Sequence, residues 1–248
     1  IAQLGVKTST GDVEGDVISK CAVPTYSVEY LEQVIAKFIG VIEQIPPMYS
    51  ALKHEGKPLY EYARKGQTIE RKARFITIHD LSMISYDAST QRLELNVACS
   101  KGTYIRTLVE DIAEAMDCVA HVIKLRRTRV GRFEPSAMVT IDALEAQLEA
   151  DPKGLDQFLT PLSHAFAHFP RIILNLDDAR LFSQGQRIEV TRKDPQEFVA
   201  VYTSGGCFMG IGQVPYIGGK HMLKVCKLLP TSPDFLSWSK KNKESDSN

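Results

Sequence analysis

No stretch of the sequence approaches the ~18 consecutive apolar residues that a membrane span requires, and no secretory or transit signal is visible. Neither is there a Cys-x-x-Cys pair: the five cysteines, Cys21, Cys99, Cys118, Cys207 and Cys226, are odd in number and widely scattered. That pattern argues against a disulfide framework or a zinc site and for reduced thiols in the cytoplasm. Net charge is absent as well, since 30 Lys and Arg are balanced by 30 Asp and Glu, so global charge announces no nucleic-acid partner. Residue 1 is Ile rather than Met, and Ala2, Leu4, Val6 and Thr8 alternate with Ile1, Gln3, Gly5 and Lys7 as in a strand already under way. The expectation is a fragment whose preceding residues are missing. What is present is ample: 248 residues, 44% of them hydrophobic, suffice for one large domain or two ordinary ones.

Charge is concentrated locally. Between Gln44 and Arg74 stand seven cations, Lys53, Lys57, Arg64, Lys65, Arg71, Lys72 and Arg74, against three glutamates. From Lys124 to Arg132 there are five, Lys124, Arg126, Arg127, Arg129 and Arg132, and no acid. Such clusters are the footprint of phosphate binding, although a solvated charged face has the same composition.

Thr8 to Asp12, followed by Gly15, is a turn-rich loop in which Asp12 is the carboxylate of interest. Ser27 can cap a helix running to about Ile39, with Val28, Leu31, Ile35 and Phe38 inward. Gln44 to Arg74 is irregular: Pro46-Pro47 suits neither helix nor central strand, while Leu59, Tyr62 and Ala63 hint at a short helix. With Tyr49, Tyr60 and Tyr62 among its cations, this insert suits a lobe that grips RNA and stacks bases; packing of the tyrosines on the body is the alternative. Strands are expected at 75–85 and 92–98, with 126–132 a further candidate, and Thr140 can cap a helix to about Glu149 with Leu144 and Leu148 inward. Pro161 to Pro170 reads as a bridge. Its His164 and His168 have the four-residue spacing of a helical metal pair, but Phe166 and Phe169 point to packing. Short strands at 187–191, 198–203, 207–214 and 221–228, separated by glycine turns, describe a meander or small barrel; residues 231–248 have a disordered composition.

The chain is organised around Cys99 to Thr107. Leu93, Leu95 and Val97 alternate as in a half-buried strand before it; Leu108, Ile112 and Met116, with Val109 and Ala113, repeat as on a buried helix face after it. With Thr107 as the expected N-cap, Arg106 stands at a strand end beside a helix start, where a guanidinium can hold a carboxylate through two hydrogen bonds. The stretch Lys101-Gly102-Thr103-Tyr104-Ile105-Arg106-Thr107, then His121 to Thr128, resembles the TruB family of tRNA pseudouridine synthases. So does Gln44-Ile45-Pro46-Pro47-Met48-Tyr49-Ser50-Ala51-Leu52-Lys53 with its continuation to Gly66, and the three blocks come in the family's order. Gly185 with Arg187-Ile188, and Gly210-Ile211-Gly212, are similar to a PUA domain.

The resemblance implies an α+β pseudouridine synthase fold with a largely antiparallel sheet, flanking helices and a thumb-like insert at 44–74. It places this catalytic domain at 1–165 and a PUA-like RNA-binding barrel at 169–230. It implies isomerisation of uridine 55 in the T arm of tRNA: the base is flipped out, its C–N glycosidic bond breaks and a C–C bond replaces it, without cofactor or metal. Arg106 matches the arginine that pairs with the catalytic aspartate, Tyr104 and Asp12 match side chains that position it, and Leu125 matches an apolar pocket wall. Tyr49, Lys53, Arg64, Lys65, Arg71, Lys72, Arg74, Lys101, Lys124, Arg126, Arg127 and Arg129 are expected to face RNA. A cytoplasmic monomer with no obligate protein partner is implied. The family's Leu-Asp-Pro loop is absent, and the Asp-Pro pairs Asp151-Pro152 and Asp194-Pro195 stand in other contexts, so the chain as written is expected to be inactive. A non-catalytic RNA-binding module fits the same residues. A hydrolase acid pair at Glu110 and Asp111 fits less well, because adjacent helical side chains diverge.

Overall fold

The computed structural model describes residues 1–191 and 195–229. Its contacts divide the chain into two units, Ile1–Arg126 and the residues from Arg127 onward. In the first, β1 (Ala2–Leu4), β2 (Val6–Thr8), β3 (Val17–Lys20), α1 (Val28–Ala36) and β4 (Gly40–Gln44) precede the insert. The insert holds β5 (Lys53–His54), β6 (Lys57–Pro58) and α2 (Leu59–Arg64); β7 (Arg74–Asp87), β8 (Arg92–Cys99), α3 (Ile105–Glu114) and β9 (Ala120–Val122) complete the unit. The central sheet has the order β4-β7-β8-β1-β9, every pair antiparallel.

One face of that sheet carries the core. Ala2, Leu4, Ile76, Ile78, Leu81 and Leu93 meet Leu31, Val34 and Ile35 of α1 and Leu108, Ile112, Ala113 and Met116 from α3 onward. Two register shifts in the β7–β8 pairing bend the long hairpin, yet Leu95 and Val97 stay packed against the core side, as the alternation requires. Ser27 caps α1 as expected, accepting the Tyr30 N–H at 3.2 Å, but Val28 is exposed and Val34 takes the inner position. The opening strand is broken in two: Gly5, at φ +85°, turns the chain so that β2 leaves the central sheet and pairs with β3. Two of the scattered cysteines meet, with Sγ of Cys21 3.5 Å from Sγ of Cys118.

The second unit contains α4 (Ile141–Ala150), α5 (Leu162–Ala165), β10 (Arg171–Leu174), α6 (Leu176–Ser183) and β11 (Ile188–Glu189). It continues with β12 (Gln196–Thr203), β13 (Phe208–Val214), β14 (Tyr216–Ile217) and β15 (Lys220–Leu228). Its sheet runs β10-β12-β13-β15-β11, parallel only at β10–β12, and buries Leu174, Phe182, Val199, Val201, Met209 and Leu223. Thr140 caps α4, but Leu148 is exposed rather than inward because α4 buries no side chain. Residues 126–132 form no strand; Val130 and Phe133 close a turn instead. His164 and His168 do not share a helix face, since α5 ends at Ala165; their rings lie against Phe133 and Phe169. The expected disorder of 231–248 lies outside the described residues. Among the described residues no helix is long and apolar enough to cross a membrane.

Candidate active cleft

Arg106 is not at a strand end. The helix begins one turn earlier than Thr107 would allow, with Tyr104 as N-cap and Arg106 as its second residue. The cause is remote in sequence: the Gln44 side chain accepts the Tyr104 N–H at 2.8 Å and donates to the Tyr104 carbonyl at 3.2 Å. A cation in the first turn gains nothing from the helix dipole, so acceptors elsewhere hold the guanidinium. Its Nη1 donates to Asp12 Oδ2 at 2.7 Å and to the Thr10 carbonyl at 3.0 Å, and its Nη2 donates to the Tyr49 carbonyl at 2.8 Å.

Asp12 is presented by the loop between β2 and β3. The Thr8 hydroxyl donates to the Asp12 carbonyl at 2.6 Å, and the Val122 N–H donates to the Gly11 carbonyl at 2.9 Å, fastening the loop to β9. Oδ1 of Asp12 accepts from the Thr10 hydroxyl at 2.5 Å and from the Glu14 N–H at 3.1 Å, which leaves Oδ2 for the arginine. Gly11 has φ +74°, which strains any side chain, and a Cβ there would stand a tight 3.2 Å from the Arg106 Cβ. Partial burial works against the Asp12 carboxylate, but the Thr10 hydroxyl, the Glu14 N–H and Arg106 outweigh it and hold its carboxyl below the usual carboxylate range.

These groups border a cleft of about 330 Å³ whose lining includes Thr10, Met48, Tyr49, Arg71, Arg106 and Glu110. Lys7 pairs with Glu110 across 3.4 Å. Arg71 is fixed at the root of the insert by donating from Nη1 to the Pro46 carbonyl at 3.3 Å. A guanidinium has five N–H groups, and the three bonds described occupy both on Nη1 and one on Nη2. Among the described residues the Nε–H and the second Nη2–H have no acceptor, and donors on Nε and Nη2 are a pair that can grip a carboxylate bidentately. Arg106 can thus hold a further carboxylate while retaining Asp12.

Sequence comparison matches residues 1–105 to the TruB family pseudouridylate synthase N-terminal domain. Residues 106–167 match the tRNA pseudouridylate synthase B C-terminal domain, and residues 170–218 the C-terminal region of pseudouridine synthase II TruB. The tRNA pseudouridine synthase B of Coxiella burnetii (strain RSA 331 / Henzerling II) is 42% identical over 213 residues, 86% of this chain and 68% of that protein. The chain belongs to the TruB family. The tRNA pseudouridine synthase B of Ralstonia nicotianae, another relative in this family, is 46% identical over 83% of this chain and 65% of its own length. The TruB fold extends to a chain of a Cbf5-Nop10-Gar1 complex, with a TM-score of 0.62 at 20% identity. That superposition covers 83% of this chain but 63% of the other, and at this identity it is a likeness of fold. An H/ACA RNP bound to a substrate RNA containing 2'-deoxyuridine gives a TM-score of 0.63 at 18% identity.

Of the TruB positions expected at the site, Arg106, Asp12, Tyr49 and Arg71 are brought together. Among the described residues none of the Arg106 hydrogen bonds goes to the Tyr104 hydroxyl; the bonds of the Tyr104 main chain go to Gln44 and Leu108. Leu125 follows β9, is 61% exposed and is not among the residues lining this cleft. Lys53, Arg64, Lys65, Lys72 and Arg74 are exposed on and around the insert, and Arg64 lies over the Tyr60 ring at 5.4 Å. Lys101, Lys124, Arg126, Arg127 and Arg129 are also exposed, and none of them is among the residues that bond Arg106. Gln44, Thr8 and Thr10 were not singled out from sequence. Gln44 did leave a signal, as a polar residue in step with Ile42 on the inward face of β4, where alternation calls for an apolar one.

Proposed function

We propose that this protein isomerises a uridine of tRNA to pseudouridine, acting on position 55 in the T arm. The observation that carries the reading is Arg106, anchored by one carboxylate and two carbonyls and, among the described residues, still holding two free donors beside a cleft of about 330 Å³. In this chemistry the C1′–N1 bond of the nucleotide breaks, the detached base turns, and C1′ bonds to C5. The C5 proton leaves to solvent and N1 takes a proton, so atoms balance without redox change or cofactor. A carboxylate placed against the nucleotide is needed, and residues 1–248 contain no Leu-Asp-Pro loop to supply it. Arg106 is the group that would keep that carboxylate ionised and aimed. Tyr49 and the cations of the insert grip the extruded strand. The protein works on tRNA as a cytoplasmic monomer.

Tritium at C5 of uridine in a T-arm hairpin tests this. Residues 1–248 preceded by a Leu-Asp-Pro segment are expected to release tritium and leave pseudouridine at position 55; RNA binding without release, or modification elsewhere, overturns the reading. The second reading, an RNA-binding module without chemistry, is favoured by the exposed cations. It predicts that protein carrying the Leu-Asp-Pro segment binds the hairpin and still releases no tritium.

A further inference from the structure

We propose that Gln44 is a positioning residue for Arg106, resting on the reading of the cleft as the site of pseudouridine formation. Gln44 ends β4, opposite Arg74 of β7, and is only 3% exposed. A buried primary amide is costly unless both of its halves are satisfied. Here both are satisfied by one residue, Tyr104, through its N–H at 2.8 Å and its carbonyl at 3.2 Å.

Tyr104 is the N-cap of α3 but has no side chain able to cap it, and no side-chain cap bond is made there. Its carbonyl also accepts the Leu108 N–H at 3.0 Å, so the amide grips the residue from which the helix starts. Arg106 projects two residues further on. The chain leaving Gln44 reaches, five residues later, the Tyr49 carbonyl that accepts from Arg106 Nη2 at 2.8 Å. One buried amide therefore fixes the helix turn that carries the arginine and the start of the segment that supplies one of its acceptors. It also joins the insert's root to the turn that carries Arg106. Gln44 need not touch the substrate to matter: a displacement of the guanidinium by ~1 Å is enough to cost about a hundredfold in rate.

The test uses Gln44→Met, which keeps length and removes both hydrogen bonds, made alone and together with Arg106→Lys in protein carrying the Leu-Asp-Pro segment. Alone it is expected to lower kcat at least roughly tenfold with KM for tRNA within about twofold. In the Arg106→Lys background the same substitution is expected to cost less than about twofold, because its effect passes through Arg106. An equal loss in both backgrounds, or kcat unchanged in the first, overturns the proposal. Should Gln44→Met lack a cooperative melt, Gln44→Glu replaces it: the acceptor for the Tyr104 N–H is kept, while an oxygen now faces the Tyr104 carbonyl. The same comparison then decides. No tritium release by the unsubstituted protein overturns the functional reading itself, a result distinct from activity that is indifferent to Gln44.

Discussion

At the scale of single residues, Arg106 and Asp12 make different predictions although they share a hydrogen bond. Lys in place of Arg106 keeps the charge but can serve neither the Asp12, Thr10 and Tyr49 acceptors together nor a second carboxylate through a fork. Arg106→Lys is expected to reduce single-turnover pseudouridine formation by about a hundredfold or more while tRNA affinity stays within about twofold. A normal rate would remove Arg106 from the mechanism. Asp12 is read through pH. Its carboxyl titrates below the ordinary range when folded, so the unfolded chain binds the proton first. Stability from Asp12 is complete above the ordinary carboxylate pKa and is lost as pH falls through the depressed value. Asp12→Asn should flatten this acid limb in denaturant titrations. At neutral pH it should cost no more than about 1 kcal/mol, because solvent reaches both partners of the pair.

Among elements, α3 shows what one sequence can and cannot disclose. Its buried face, Leu108, Val109, Ile112 and Ala113, with Met116 just beyond its end, follows from four-residue periodicity alone. Its start does not, because the group that caps Tyr104 lies 60 residues away on β4, and local capping rules favoured Thr107. The break at Gly5 was hidden for a related reason: alternation continues across it, and only the left-handed turn sends β2 to another sheet. Likewise Thr140 revealed where α4 begins, but periodicity could not tell that Leu148 stays half exposed. Arg106 and Asp12 were legible through resemblance, whereas Gln44 and Thr10 are defined by which acceptors and donors folding brings near. The same helix carries a liability. Partial burial, with Glu110 and Glu114 beside it, pushes the Asp111 carboxyl up to about 6, and Lys7 offsets this only in part. The folded chain therefore holds a proton that the unfolded chain has released, and stability falls as pH rises from about 4 toward 6. Asp111→Asn should remove that slope and stabilise the protein at neutral pH by on the order of 1 kcal/mol, after allowance for solvent screening. An unaltered melting profile between those pH values would place Asp111 in solvent.

For the molecule as a whole, zero net charge conceals two clusters of exposed cations in the sequence, the insert and the stretch from Lys124 onward. Affinity for RNA should follow these clusters rather than the overall charge, since each phosphate neutralised releases counterions and steepens the salt dependence. Lys124, Arg126 and Arg127 are consecutive exposed cations around one leucine. Replacing all three by Gln is expected to weaken tRNA binding and make the slope of log K against log salt shallower by about 2. A corresponding change at Lys53, Arg64 and Lys65 on the insert should flatten the slope independently if both clusters contact the same RNA, and the six-fold variant should then lose the sum. Loss of slope from one triple variant and none from the other would assign tRNA binding to a single cluster. The silent cations would then be a solvated face, as their composition alone always allowed.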